Sequence, residues 1–242
     1  ILAACEDPST ISKYEYSKSI WPLPQTGQMW LEHVLLDNPE IEGCFTVSTS
    51  YRDEPNPIPG RHDKIFPMFE FEMKGGLDKL IELEKELLEF LGFGQASDFP
   101  EGNYEDIAKR YDTKELEHSH EEQLRKDHGP VYFIKMFPEY TSPFWNMKLN
   151  ETNSRLSNKV DVILHGMETI GSAERATNVD EMRKQFYSIS GGNYANILFS
   201  NFTKERVETE LDDFLKFNFM KRCGGGIGVT RMIRAMKLSN LI

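Results

Sequence analysis

The most regular run of apolar and charged positions lies between Leu77 and Leu91 (LDKLIELEKELLEFL), where apolar residues recur at helical spacing. That spacing predicts an amphipathic helix with one face on a core. Upstream, Cys44–Arg52 (CFTVSTSYR) alternates and is rich in β-formers, and Phe66–Met73 (FPMFEFEM) alternates apolar and acidic residues. Both predict strands, joined as a hairpin across a long loop with three prolines (DEPNPIPG). Further strands are predicted at Val131–Met136, Phe144–Lys148 and Lys159–His165, and helices at Met29–Leu36, Asp180–Ser188 and Lys204–Phe217. Gly224–Gly228 is expected to open a last helix through Met236. Residues 1–30 are turn-rich, with Pro8, Pro22, Pro24 and Gly27. Residues 94–128 are polar, with weaker helical pattern at Tyr104–Tyr111 and Lys114–Arg125. They read as a helical insertion within one domain spanning 1–242. Strands and helices do not alternate strictly, so the expected class is α+β with a largely antiparallel sheet, not a doubly wound parallel one.

The chain has 242 residues, 39% hydrophobic and 28% charged, which suits a globular protein with a sizeable core. No stretch approaches the roughly 20 apolar residues of a membrane span. The opening ILAAC is too short for a signal-peptide core and reads as the middle of a domain. Cys5, Cys44 and Cys223 are far apart and odd in number, so a reducing, cytoplasmic setting is expected. A net charge of −11 weighs against a dedicated nucleic-acid-binding module, whose affinity would rest on neutralising phosphates.

Three segments carry candidate chemistry. Arg52, Glu54, Arg61 and His62 flank the proline loop, and Phe66 follows. A guanidinium can hold a phosphate with two hydrogen bonds, and an aromatic ring can stack on a base. In CGGGIGVTR (Cys223–Arg231), glycines permit close backbone approach, and Arg231 lies in the first turn of the expected helix. In DVILHGMETIGSAER, Asp161 and Glu168 are hard oxygen donors suited to Mg²⁺ on a phosphate, and Arg175 follows. Taken singly, each segment is better read as something plainer: a solvated loop, a structural glycine turn, two ordinary acids at strand ends.

Together they resemble the class II aminoacyl-tRNA synthetases. YRDEPNPIPGRHDKIFPMFEFE is similar to that family's motif 2, and GGGIGVTR to its motif 3. PFWNMK (Pro143–Lys148) followed by DVILHGMETIGSAER resembles the aspartyl, asparaginyl and lysyl subgroup, and TGQMWLE (Thr26–Glu32) looks most like the asparaginyl enzymes. The likeness covers nearly the whole chain and is weakest at residues 1–20 and 94–128.

The resemblance implies a class II-type antiparallel sheet flanked by helices, with ATP as substrate, Mg²⁺ as cofactor, tRNA as the expected acceptor and a homodimer as the expected assembly. It implies that Arg52 holds the α-phosphate and the amino-acid carboxylate, and that Glu54 sits near the nucleotide. Arg61 and His62 would reach the β- and γ-phosphates. Phe66 would stack on adenine with Arg231 on its other side. Asp161 and Glu168 would carry Mg²⁺. Gln28, Glu32, Arg175 and Glu6 would meet the amino acid, Glu32 at a side-chain amide, Arg175 at the side-chain oxygen and Glu6 at the amino group.

The chain departs from the family at several points. Ile65 stands where an acid is usual before the stacking phenylalanine. Leu31 replaces the lysine used for an aspartate side chain, which argues for an uncharged substrate, asparagine first. Most of motif 1 is missing or lies before Ile1, and an anticodon-binding barrel is not expected. Two alternatives stay open: an ammonia-dependent asparagine synthetase acting on aspartate, and a non-catalytic synthetase paralogue. The second is disfavoured because Arg52, Phe66, Asp161, Glu168 and Arg231 are all present.

Overall fold

The turn-rich start holds more order than its prolines suggest. In the computed structural model, which describes all 242 residues, β1 (Lys13–Tyr16) and β2 (Ser19–Pro22) form a separate antiparallel hairpin. Its two turn residues, Ser17 and Lys18, both adopt positive φ, at 50° and 63°. Neither residue type signals that conformation, so the hairpin is silent in the sequence. Next comes α1 (Gln28–Asp37), and then β3 (Gly43–Tyr51) and β4 (Ile65–Lys74), paired along their length from Gly43–Met73 to Tyr51–Ile65. The amphipathic helix is α2 (Leu77–Phe90).

The polar stretch 94–128 is not helical throughout. It contributes β5 (Glu101–Asn103) before α3 (Tyr104–Arg110) and α4 (His118–His128). The strands β6 (Val131–Pro138), β7 (Leu156–Leu164) and β8 (Met167–Glu174) follow, then α5 (Val179–Ser188), α6 (Asn193–Phe202), α7 (Lys204–Phe214), β9 (Arg222–Gly228) and α8 (Val229–Leu238). Seven strands form one sheet in the order β3-β4-β9-β8-β7-β6-β5. Every pair is antiparallel except β5–β6. The α+β reading with a largely antiparallel sheet therefore stands.

Three expectations need correction. Phe144–Lys148 is a turn, not a strand: the Met147 N–H donates to Phe144 O at 2.9 Å, and only isolated bridges tie the segment to the sheet. The turn drops Trp145 into an aromatic cluster with Phe186 and Phe214, where it is fully buried. The glycine run is not a turn opening a helix but the interior strand β9, and the helix begins at Val229. The predicted helix 204–217 ends at Phe214, because Phe217 and Phe219 fold back onto that ring. Two further elements went unpredicted. Strand β8 pairs with β7 through a two-residue turn at His165 and Gly166, with φ of 48° and 71°. Helix α6 buries Tyr194, Ala195, Leu198 and Phe202, but its asparagines and serine are weak helix formers that mask the pattern.

The sheet sorts side chains by parity. Phe69, Phe71, Val160, Val162, Ile170, Cys223 and Ile227 pack with α2 and α8 on one face. The opposite face bears a second core built by the first residues of the chain, Met29, Trp145 and α5–α7. The functional candidates collect on this second face.

Candidate active site

Alternation along β4 places Phe66, Met68, Glu70 and Glu72 on the face opposite the core residues Phe69 and Phe71. Four residues of the motif-like segments thus form one row. Glu70 is buried and accepts hydrogen bonds from the Gly27 N–H at 2.9 Å, the Ser48 hydroxyl at 2.6 Å and the Thr26 hydroxyl. It fixes the turn that leads into α1 and so sets where Gln28 and Glu32 point.

Strand β9 runs beside β4 and forms the bottom of the cleft. A Cβ at Gly224 would press on the Glu72 carboxylate and on Phe71 O, and one at Gly225 would come 2.6 Å from Gly171 O and closer still to Ser172. The glycines serve close packing of strands and side chains rather than a phosphate turn.

Asp161 and Glu168 converge through a bulge. Along β8, Glu168 would share a face with Ile170, which belongs to the core against α2. The register shifts between Val162 and Ile163, so that Ile163 stands opposite Glu168 while Val162 stands opposite Ile170. The irregularity turns Glu168 to the face of Asp161. A Cβ at Gly171 would lie 3.1 Å from Glu168 Oε1 and 3.5 Å from Asp161 Oδ1, so both carboxylates crowd one point. Asp161 sits within its strand, not at a strand end as the plainer reading of it has it. Burial, and then Glu168, push its carboxyl up to about 7 against the opposing pull of Lys159. Asp161 Oδ1 is buried without a hydrogen-bond partner, while Oδ2 accepts from Lys159 Nζ at 2.7 Å. An orphaned carboxylate oxygen beside a second carboxylate fits a hard divalent cation that completes its shell with phosphate oxygens and water.

The nucleotide candidates surround a second opening of the same region, lined by Arg52, Glu54, Arg61, His62, Phe66, Glu168 and Arg231. The Arg52 guanidinium lies 5.8 Å from the Phe66 ring centre and donates to Glu6 at 2.6 Å. Arg52 Nε is buried without an acceptor. Arg231 donates to Glu168 O at 2.7 Å and to Arg61 O at 3.1 Å, so it ties the loop, β8 and α8 together. Arg61 pairs with Glu121 of α4 and donates to Gly166 O at 3.1 Å. His62 Nδ1 accepts from the Ile58 N–H at 3.3 Å and closes the loop on itself.

The inner end of the cleft is a buried charge network. Glu32 is fully buried; its Oε2 accepts from Arg222 Nη2 at 2.6 Å and Nε at 3.0 Å, and its Oε1 from Asn146 Nδ2 at 2.7 Å. Arg175 donates through Nε to Glu72 at 3.3 Å and through Nη2 to Gly224 O at 3.2 Å. The Gln28 amide donates to Phe71 O at 2.8 Å and to Glu72. Burial pushes the Glu72 carboxyl up to about 7, with Arg175 pulling it down and Glu32 adding to the rise.

All twelve sequence candidates therefore lie in this region, with Gln28, Glu32 and Arg175 at the inner end and Arg61, His62 and Arg231 at the outer. Sequence reasoning missed Glu70, Glu72, Asn146, Arg222, Lys159 and Glu121. The alternating acids of β4 carried a signal for the first two. Arg222 and Asn146 carried none, because each meets Glu32 only through tertiary folding.

Solved structures share this fold, among them three synthetases. The asparaginyl-tRNA synthetase from Pyrococcus horikoshii, complexed with asparaginyl-adenylate, is 20% identical, with a TM-score of 0.77 over 97% of this chain and 58% of that one. The asparaginyl-tRNA synthetase of Entamoeba histolytica, also with asparaginyl-adenylate, is 19% identical, with a TM-score of 0.75 over 95% and 56%. The aspartyl-tRNA synthetase of Entamoeba histolytica is 17% identical, with a TM-score of 0.68 over 88% and 48%. The chain spans about half the length of the structures it matches. No curated protein matches it. The sequence model of the tRNA synthetases class II (D, K and N) matches residues 5–242, and the chain accordingly belongs to that family of ligases.

Proposed function

We propose that this chain binds ATP and an amino acid, asparagine first, and joins them as an aminoacyl adenylate with release of pyrophosphate, tRNA being the acceptor. The Glu6–Arg52 pair carries the reading. A free amino acid presents an ammonium and a carboxylate, and this pair offers the complement of each, 2.6 Å apart and partly exposed to the cleft. Arg52 also reaches Phe66, so the group that would hold the carboxylate adjoins the ring that would hold the base.

The carboxylate oxygen attacks the α-phosphorus, a P–O bond forms, and the bond to the pyrophosphate oxygen breaks with its electron pair on the leaving group. The attacking carboxylate is already ionised at neutral pH, so no general base is required. Arg52, Arg61 and Arg231 position and neutralise the phosphates. Asp161 and Glu168 would hold Mg²⁺, which supplies further charge neutralisation when bound.

The inner end supports an uncharged amide side chain. Glu32 and Glu72 are balanced by Arg175 and Arg222, so an added aspartate carboxylate would be a buried charge without a partner. Glu32 can only accept, which assigns the Asn146 amide nitrogen to it. Asn146 Oδ1 is left buried and unpaired, and a carboxamide N–H on the substrate can satisfy it where a carboxylate cannot. The test is amino-acid-dependent pyrophosphate exchange into ATP across all twenty amino acids. Exchange with asparagine is expected, and exchange with none would remove the proposal.

A further inference from the structure

We infer that Lys159 is a built-in cation of the site: its ammonium takes one oxygen of the Asp161 carboxylate and presents its remaining N–H groups to a substrate phosphate. Its charge thereby supplies part of the neutralisation that a divalent ion would otherwise have to provide there.

Lys159 lies on β7 two residues before Asp161, on the same face of the sheet. Its side chain reaches the cleft shared by Glu6, Arg52, Glu168 and Arg175. The ammonium sits 3.9 Å from the Phe137 ring centre, which supports it from below, and 2.7 Å from Asp161 Oδ2. That bond uses one of three N–H donors. The other two have no protein acceptor, although the side chain is only 21% exposed. A half-satisfied ammonium in a cleft that also presents Arg52 and Arg175 is a phosphate ligand in waiting.

The surrounding charges point the same way. The groups that act on Lys159 are Asp161, Glu168 and Glu6, all carboxylates. Glu121 bears on Asp161 from α4, and Arg61 neutralises Glu121 in turn. One fixed positive charge among Asp161 and Glu168 lowers what those two can offer to divalent ions. Asp161 keeps a single oxygen, Oδ1, free of hydrogen bonds, as the one donor it could offer to a metal ion beside Glu168.

The inference rests on the reading of this cleft as a nucleotide site, but its metal arm stands without nucleotide. The test compares the wild-type chain with Lys159→Met, Lys159→Arg and the double variant Lys159→Met/Asp161→Asn, which removes the ion pair together and guards against a folding defect from an unpaired acid. Mn²⁺ binding to the nucleotide-free protein is followed by electron paramagnetic resonance. Lys159→Met should bind Mn²⁺ about tenfold more tightly than wild type, since it removes a like charge and releases Oδ2. Unchanged Mn²⁺ affinity would overturn the inference. Calorimetry with a non-hydrolysable ATP analogue at saturating Mg²⁺ supplies the second arm: analogue affinity should fall about tenfold in Lys159→Met and in the double variant and recover in Lys159→Arg. Affinity that survives loss of the cation would equally overturn it. A wild-type chain that binds no nucleotide would refute the adenylation reading while leaving the Mn²⁺ arm decisive for Lys159.

Discussion

The carboxyl of Glu72 sets the charge of the inner cleft. Burial holds it at about 7. Above that pH two carboxylates face two guanidiniums and the network is neutral. Below it Glu72 is protonated, and Arg175 and Arg222 outnumber Glu32, so the network gains one positive charge. Preference for asparagine over aspartate in pyrophosphate exchange should therefore be greatest near pH 8 and fall by about tenfold as the pH drops to 6, a change of about 1.4 kcal/mol. Glu72→Gln should show the weaker preference at both pH values. A preference that is flat with pH in the wild type would exclude Glu72 as its source.

Strand β9 and helix α2 impose the next level of constraint. An alanine at Gly225 would place a Cβ within 2.6 Å of Gly171 O and still closer to the Ser172 side chain, inside a sheet with neighbours on both sides. Gly225→Ala should cost about 3 kcal/mol, read as a lower urea midpoint. On α2, Glu84 is buried, bonded at 2.5 Å to the Ser172 hydroxyl, with its other oxygen unpaired. Burial pushes its carboxyl up to about 8. The folded chain thus keeps a proton on Glu84 that the unfolded chain has lost above its ordinary value of 4.5. The contribution of this group is full at low pH and is lost as pH rises from about 4.5 through about 8, at no more than about 1.4 kcal/mol per pH unit. Glu84→Gln should remove that slope from unfolding free energies measured between pH 5 and 8, and an unchanged slope would show that Glu84 does not titrate there.

Across the whole molecule, the sheet face that carries α2 is left uncovered toward the β3 edge. Phe45 and Val47 are 69% and 68% exposed, and Ile65 is 63% exposed. An apolar hollow among Phe45, Phe69, Phe71, Leu83 and Leu87 continues the patch. Such an edge invites pairing with another chain. We expect homodimers through this face, and Phe45→Glu with Val47→Glu should shift sedimentation to the monomer; a dimer that survives both would place the interface elsewhere. No helix is long and apolar enough to cross a membrane. At this scale the division between pattern and fold becomes plain. The strands β3 and β4, the helix α2 and the antiparallel class were legible because each repeats a short periodicity whose apolar side must leave water. Arg52, Phe66 and Arg231 were legible because the residues flanking them resemble a known family's motifs. The bulge that turns Glu168 toward Asp161, the hairpin at Ser17 and Lys18, and the meeting of Glu32 with Arg222 at 2.6 Å were not. They depend on register and on contacts 190 residues apart in the chain. Local periodicity fixes which side of a strand faces a core, but a shared register with neighbouring strands decides which charges meet.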